Sequence, residues 1–381
     1  MKKLVVNVFA LFGLLFSVCG IAAVVAPVPA PPTLAAKSYI LMDFNSGRIL
    51  AARDTDKSVE PASITKIMTA YVVYKEIEAG RLQMQDMVTV SKKAWQMGGS
   101  KMFIEVGKQV SVDDLLKGLV IQSGNVAAVA LAEQVGGSEE VFASMMNQYA
   151  VKLGMKSTHF MNSTGWPDAR HYTTAHDIAI MARATIAEFP DHYALYAAHE
   201  FTWNNITQPN RNLLLYRDST VDGIKTGHTD SAGYCLVSSA LRDNMRLISV
   251  VLGTKSDSAR ADISQALLGY GYRFYESDQM FAGADALKQA RVWKGNVEMI
   301  DLGLASNLHV TVPRGQYKKL QSVMEITPEI EAPVKKGQEL GSLRIMLDGK
   351  ELFSRPLVAL HAVDEGSIWQ RARDRIIRYF R

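Results

Sequence analysis

Cysteine is nearly missing from this chain: Cys19 and Cys235 are the only two among 381 residues. That excludes a disulfide scaffold and any cysteine-rich zinc module. An excess of either charge is also missing. Lys plus Arg total 42 against 38 Asp plus Glu, a net of +4, too little for the basic face of a nucleic-acid binder. The eight histidines show no His-Glu-x-x-His or similar ligand spacing, so neither a metal nor another cofactor is called for. No Gly-x-Ser-x-Gly elbow occurs, which argues against a Ser-His-Asp hydrolase. There is no internal repeat. With 48% apolar and 21% charged residues, the chain is globular, and its length leaves room for two domains.

What is present begins with an export signal. Met1-Lys2-Lys3 precedes an apolar run over residues 4–25, with Ala22, Ala23 and Ala26 near its end. A charged start, an apolar middle and small terminal residues read as a secretory signal peptide over residues 1–26. The run is also long enough to span a bilayer, so an uncleaved anchor is the competing reading. Val18 is wrong for a lipobox at Cys19, and cleavage near Ala26 would leave Cys235 alone in the mature chain.

Residues 27–36, rich in Pro and Ala, read as a linker. The first domain is expected over residues 37–280. Residues 39–43 and 48–51 form a strand–turn–strand pattern around Asn45-Ser46-Gly47, and a second pair lies at 234–239 and 246–252. Helical stretches fall between them, at 61–75, 112–121, 126–135, 139–153 and 174–187, with another at 259–276. Strands at both ends with helices between predict an α/β domain whose sheet joins the first and last segments, helices lying on both faces. Residues 281–363 change texture to short alternating runs punctuated by Pro313-Arg314-Gly315, Lys336-Gly337 and Asp348-Gly349, a small all-β domain. Residues 364–381 form an amphipathic helix. Ile368, Trp369, Ala372, Ile376, Tyr379 and Phe380 share one side, and Arg371, Arg375 and Arg378 lie opposite. Such a helix suits the headgroup plane of an anionic membrane; ordinary docking on the β domain is the alternative.

Three short patterns carry chemistry. Ser63-Ile64-Thr65-Lys66 opens a helix, so Ser63 and Lys66, three apart, share a face. A serine is a weak nucleophile until a base takes its proton, and a lysine held neutral by desolvation is such a base. Ser123-Gly124-Asn125 sits between two apolar helices, a rigid way to present a hydroxyl and an amide to a cleft. Lys225-Thr226-Gly227 falls on or beside an edge strand, where a cation, a hydroxyl and a bare glycine suit a carboxylate ligand. Each alone is weak: a solvated lysine, a helix cap and a surface strand explain them equally well.

Together, in this order and once each, the three resemble the active-site set of penicillin-binding proteins and serine β-lactamases. SYILMDFNSGRI at 38–49, PASITKIMT at 61–69, IQSGN at 121–125, QPNRN at 208–212 and DGIKTGHT at 222–229 resemble the low-molecular-mass D-alanyl-D-alanine carboxypeptidases. The resemblance implies a β-lactamase/transpeptidase-like catalytic domain and removal of the terminal D-Ala from the pentapeptide stem of peptidoglycan. It implies Ser63 as acylated nucleophile, Lys66 as its base and Ser123 as proton relay. Asn125 would hold the peptide, Lys225 and Thr226 the terminal carboxylate, with Gly227 beside them. The N–H groups of Ser63 and His228 would form an oxyanion hole. Arg211 and Asp177 are secondary candidates. β-Lactams should acylate Ser63, and the protein should sit in the periplasm on the outer face of the inner membrane, bound to anionic lipid through residues 365–381.

Two departures from the family are visible. Val126-Ala127 stands where Asp-Ala commonly follows Ser-Gly-Asn, and Val126 is expected to point into helix packing. Residues 94–103 are short for a rim over the site. A class A β-lactamase needs a deacylating glutamate with a downstream asparagine, and Glu188-Phe189-Pro190 does not supply it. An endopeptidase or transpeptidase on the same fold, or a non-catalytic penicillin-binding regulator, remain the alternatives.

Overall fold

The computed structural model of the chain describes residues 28–380; the signal-peptide reading of residues 1–26 lies outside them. Five antiparallel strands build the first sheet. They are β1 (Ser38–Asp43), β2 (Ile49–Arg53), β3 (Val221–Thr229), β4 (Gly233–Arg242) and β5 (Met245–Thr254), in the order β2-β1-β5-β4-β3. The first and last segments do join, with Ile40 opposite Val250. Alternation along each strand separates two apolar layers. Ile40, Met42, Ile248 and Val250 face one core, and Leu41, Leu247 and Val251 face another.

The first core holds the helices α1 (Lys66–Glu78), α2 (Val112–Val120), α3 (Asn125–Gly136), α4 (Glu139–Leu153) and α5 (Ala175–Glu188). α1 is buried on every side over its first nine residues, Lys66 to Tyr74, so it forms the spine of this half. The opposite core is closed by α6 (Asp257–Phe274). Helices therefore cover both faces of the sheet, as expected. Residues 28–36 do not behave as a linker. Leu34 and Ala36 are buried in the second core, and Tyr270 donates its hydroxyl proton to the Pro29 carbonyl at 2.9 Å. The apolar side chains had a groove beside α6 to fill, which composition alone does not reveal.

α6 runs straight into β6 (Tyr275–Phe281), which pairs with β9 (Leu308–Pro313). The second domain thus begins at Tyr275, ahead of residue 281, because there is no loop to mark the change. Its main sheet adds β7 (Lys288–Trp293), β8 (Met299–Gly303), β10 (Leu320–Ile326), β11 (Ile330–Glu331), β12 (Glu339–Leu347) and β13 (Lys350–Ala359). Their order is β10-β12-β13-β8-β7-β11. Asp348 and Gly349, both at positive φ, turn the β12–β13 hairpin, as that dipeptide predicts.

The chain ends in α7 (Ile368–Tyr379), started by a capping box between Ser367 and Gln370. Its polar side is docked. Asp374 is 3% exposed and accepts the Lys294 backbone N–H at 2.6 Å. Arg378 pairs with Glu329 and Glu331, and Arg373 with Glu298. The apolar side is bare: Trp369 is 84% exposed, Tyr379 85% and Phe380 82%. Docking on the β domain and an outward apolar face therefore coexist. Among the described residues no helix is long and apolar enough to cross a membrane.

Candidate active site

The segment leading into α1 is a 3-10 turn, Ala62–Thr65. Side chains three apart eclipse one another in such a turn, which brings Lys66 Nζ to 3.0 Å from Ser63 Oγ. Two further acceptors hold the amine: Asn125 Oδ1 at 2.8 Å and the Thr164 carbonyl at 2.7 Å. A neutral amine has two N–H bonds and one lone pair. With both N–H bonds given to Asn125 and Thr164, the lone pair is left for the Ser63 proton. Lys66 is 1% exposed. Burial first, then the positive charge of Arg211, brings its ammonium down to about 7, within reach of a base working at neutral pH.

Ser123 stands in the tight connection between α2 and α3 with φ +63. Its Oγ is buried and has no hydrogen-bond partner, so the hydroxyl is uncommitted at the cleft wall. The connection is braced from both ends. Gly124 N–H donates to the Gly118 carbonyl at 2.9 Å and Asn125 N–H to the Ser100 carbonyl at 2.8 Å. Asn125 Nδ2 donates to the Gly98 carbonyl at 2.7 Å. The rim segment 94–103 thus fixes the Asn125 amide through Gly98 and Ser100. Val126 is buried in the helix core, the direction expected for it.

The edge strand β3 supplies the third wall. Thr226, Gly227 and His228 line a lobe of about 670 Å³ with Ser63, Ser123 and Arg211. Lys225 lies deeper: it is 3% exposed, and its Nζ donates to the Thr226 carbonyl at 3.1 Å. Burial, then the charges of Lys66, Arg211 and Arg260, hold its ammonium well below the usual lysine range. Arg211 Nη1 donates to Ser100 Oγ at 2.8 Å across the cleft. A second lobe of about 350 Å³ also opens on Ser63, walled by residues 164–167 and 228–231. Ser63 lies where the two lobes meet.

All nine site residues expected from the sequence therefore converge, seven on the lobes and two, Lys66 and Lys225, buried just beneath. Three contributors escaped the sequence. Thr164 acts through a carbonyl, which leaves no side-chain signature. Trp166 walls the second lobe. Arg260, on α6, lines the first lobe and donates from Nη1 to the carbonyls of Gly227 at 3.1 Å and Cys235 at 3.2 Å, tying β3 to β4; only an arginine in a helix otherwise read as packing could have pointed to it. Of the histidines near the motifs, His171 touches Thr65 Oγ1 at 3.0 Å through Nε2. His176 lies away from the cleft, lining a hollow with Arg183. Asp177 accepts the Ser157 N–H at 2.8 Å and the Thr158 hydroxyl at 2.7 Å, a structural role. Among the described residues no glutamate lines either lobe.

Known proteins are similar to this chain in sequence and fold. The D-alanyl-D-alanine carboxypeptidase family (Peptidase_S11) matches residues 25–256, and the C-terminal domain of penicillin-binding protein 5 matches residues 275–365. The chain is 44% identical over 357 residues to the D-alanyl-D-alanine carboxypeptidase DacC of Escherichia coli, spanning 92% of this chain and 89% of that one. The structure of penicillin-binding protein 5 from Haemophilus influenzae is similar with a TM-score of 0.85 and 39% identity, over 88% of this chain and 100% of that one. Penicillin-binding protein D2 from Listeria monocytogenes, in its ampicillin-bound form, is similar at 0.59 and 26% identity, over 64% of this chain and 100% of that one.

Proposed function

The chain belongs to the Peptidase_S11 family and is a serine D-Ala-D-Ala carboxypeptidase of the penicillin-binding kind; from that premise we propose how its residues divide the reaction. Lys66, brought down to about 7 and so deprotonated in a large share of molecules at neutral pH, takes the Ser63 proton. Ser63 Oγ attacks the carbonyl carbon of the penultimate D-Ala. The N–H groups of Ser63 and His228 hold the oxyanion, a stabilisation worth about 3 kcal/mol per donor in comparable sites. Ser123 relays the proton held by Lys66 to the departing amine, the C–N bond breaks, D-Ala leaves and Lys66 is neutral again. Water then adds to the acyl-enzyme, giving its proton to Lys66, and the tetrapeptide carboxylate is released while Ser63 is reprotonated.

The arginine side of the cleft takes the terminal carboxylate. Thr226 and Arg211 face it, with the Lys225 amine beneath. The acyl portion then extends into the lobe walled by residues 164–167 and 228–231. A β-lactam enters the same way and acylates Ser63 in place of the peptide. The observation that carries this reading is the desolvated Lys66 amine, 3.0 Å from Ser63 Oγ and held by two fixed acceptors.

The test is D-Ala release from a peptide ending in D-Ala-D-Ala by the chain from residue 28 onward, with Ser63→Ala beside it. Ser63-dependent release without cross-linked product is expected. Release by the Ser63→Ala protein would overturn the assignment. Penicillin labelling of Ser63 without any release would move it to an endopeptidase or a penicillin-binding regulator.

We propose further that the protein is exported and held on the outer face of the inner membrane by α7. Support comes from its bare Trp369, Ile376, Tyr379 and Phe380, while ion pairs fix the other side to the β domain. A helix so clamped offers its aromatic side outward as a unit. A protein ending near Val363 should lose binding to anionic liposomes; equal binding by both forms would remove the helix as anchor.

A further inference from the structure

The cleft does not stop at its acyl lobe. The two segments that wall that lobe, residues 164–167 and 228–231, run on as residues 168–169 and 231–232 into a second hollow of about 400 Å³. Ser231 belongs to both spaces. Its hydroxyl donates to Glu60 Oε2 at 2.5 Å, and its carbonyl accepts Lys37 Nζ at 3.0 Å. Ser231 is thus the residue shared by the hollow and the lobe beside Ser63.

The charges in the hollow are unequally committed. Glu60 already accepts from Ser231, and Asp168 Oδ1 accepts the Arg170 backbone N–H at 2.8 Å. Lys37 donates only to a carbonyl, and Lys57 has no hydrogen bond from its ammonium; neither forms an ion pair among the described residues. Lys57 is exposed and lines the space directly. Two cations without acidic partners, in a hollow that shares Ser231 with the lobe beside Ser63 and also holds the already hydrogen-bonded carboxylates of Glu60 and Asp168, offer ammonium donors to a further carboxylate.

We propose that this hollow is a subsite for a carboxylate carried by the stem peptide upstream of the D-Ala-D-Ala bond, with Lys57 as its main contact and Lys37 as its second. The proposal rests on the reaction and cleft polarity assigned above. With the terminal carboxylate on the Arg211 side of Ser63, the rest of the peptide leaves Ser63 toward Ser231. The D-glutamyl residue of a stem peptide has a carboxylate outside the peptide linkage, the chemistry the two lysines recognise.

D-Ala release by the full chain is measured on three synthetic substrates: a stem pentapeptide with a free D-glutamyl carboxylate, the same peptide amidated at that carboxylate, and a diacetylated tripeptide ending in D-Ala-D-Ala. The wild type should favour the acid over the amide in KM, with kcat alike. Lys57→Gln should lower the acid-to-amide ratio of kcat/KM about fivefold, the scale of a partly exposed charged contact. Lys57→Arg should keep most of the preference. A wild type indifferent to amidation, a Lys57→Gln protein that keeps the preference, or equal loss on all three substrates would each overturn the subsite. Release by Ser63→Ala would overturn the reaction assignment instead, a separate outcome.

Discussion

Gly165 packs its Cα against the backbone carbonyl of Ala62, the residue before the nucleophile. A Cβ at position 165 would stand 1.7 Å from the Ala62 oxygen, and Gly165 has φ +81. The loop carrying Thr164 is pressed onto the turn carrying Ser63, and only a bare glycine permits the approach. This contact sets the Thr164 carbonyl against Lys66 Nζ.

Gly165→Ala should therefore damage both stability and acylation. A backbone clash combined with an unfavourable φ is expected to cost about 2–4 kcal/mol. Thermal unfolding should show a clear drop in Tm, and penicillin labelling of whatever folds should slow. A normal Tm with normal labelling would mean the loop has another seat.

Acylation should depend on pH through Lys66. The ammonium has no lone pair, so the rate should fall about tenfold per pH unit below about 7 and level off above it. His171, brought down to about 4 chiefly by burial, stays neutral in this range and adds no second limb near 6. Stopped-flow acylation by a chromogenic β-lactam from pH 5 to 9 measures it. Lys66→Met should lose about 10²–10⁴-fold above pH 7 and should no longer show the fall below it.

Arg260 should matter although it touches neither motif side chain. Its guanidinium spans the Gly227 and Cys235 carbonyls and pairs with Asp257. Lysine cannot reproduce that fork. Arg260→Lys is expected to lower kcat/KM for D-Ala release by about tenfold or more while the Ser63–Lys66 pair stays intact. An unchanged kcat/KM would show that β3 holds its position without it.

Asp374 should govern how firmly α7 is held. Its carboxylate caps the Lys294 N–H and lies near Arg291. Asp374→Ala leaves a buried donor unmet, a cost of about 1–3 kcal/mol. Hydrogen exchange should quicken across residues 368–379, with D-Ala release unaltered. Unchanged exchange would mean that the ion pairs of Arg373 and Arg378 are sufficient.

Much of this protein is written in local patterns. Ser63 and Lys66 are three residues apart, and the geometry of one turn makes them meet whatever surrounds them. The strand alternation, the Asp348-Gly349 turn and the apolar stripe of α7 are likewise matters of short-range periodicity, so the two-domain fold and the reaction class were legible before any coordinate. Tertiary contact decided the rest. The Thr164 carbonyl reaches Lys66 from 98 positions away, and a backbone carbonyl looks the same at every position in a sequence. Arg260 reaches the Gly227 carbonyl because α6 packs on the sheet next to β3, and Leu34 and Ala36 are buried because the core beside α6 takes them in. Whether a lysine is a base or a solvated cation depends on how much water the surrounding fold excludes. That exclusion is a property of packing across the whole domain, and no motif encodes it.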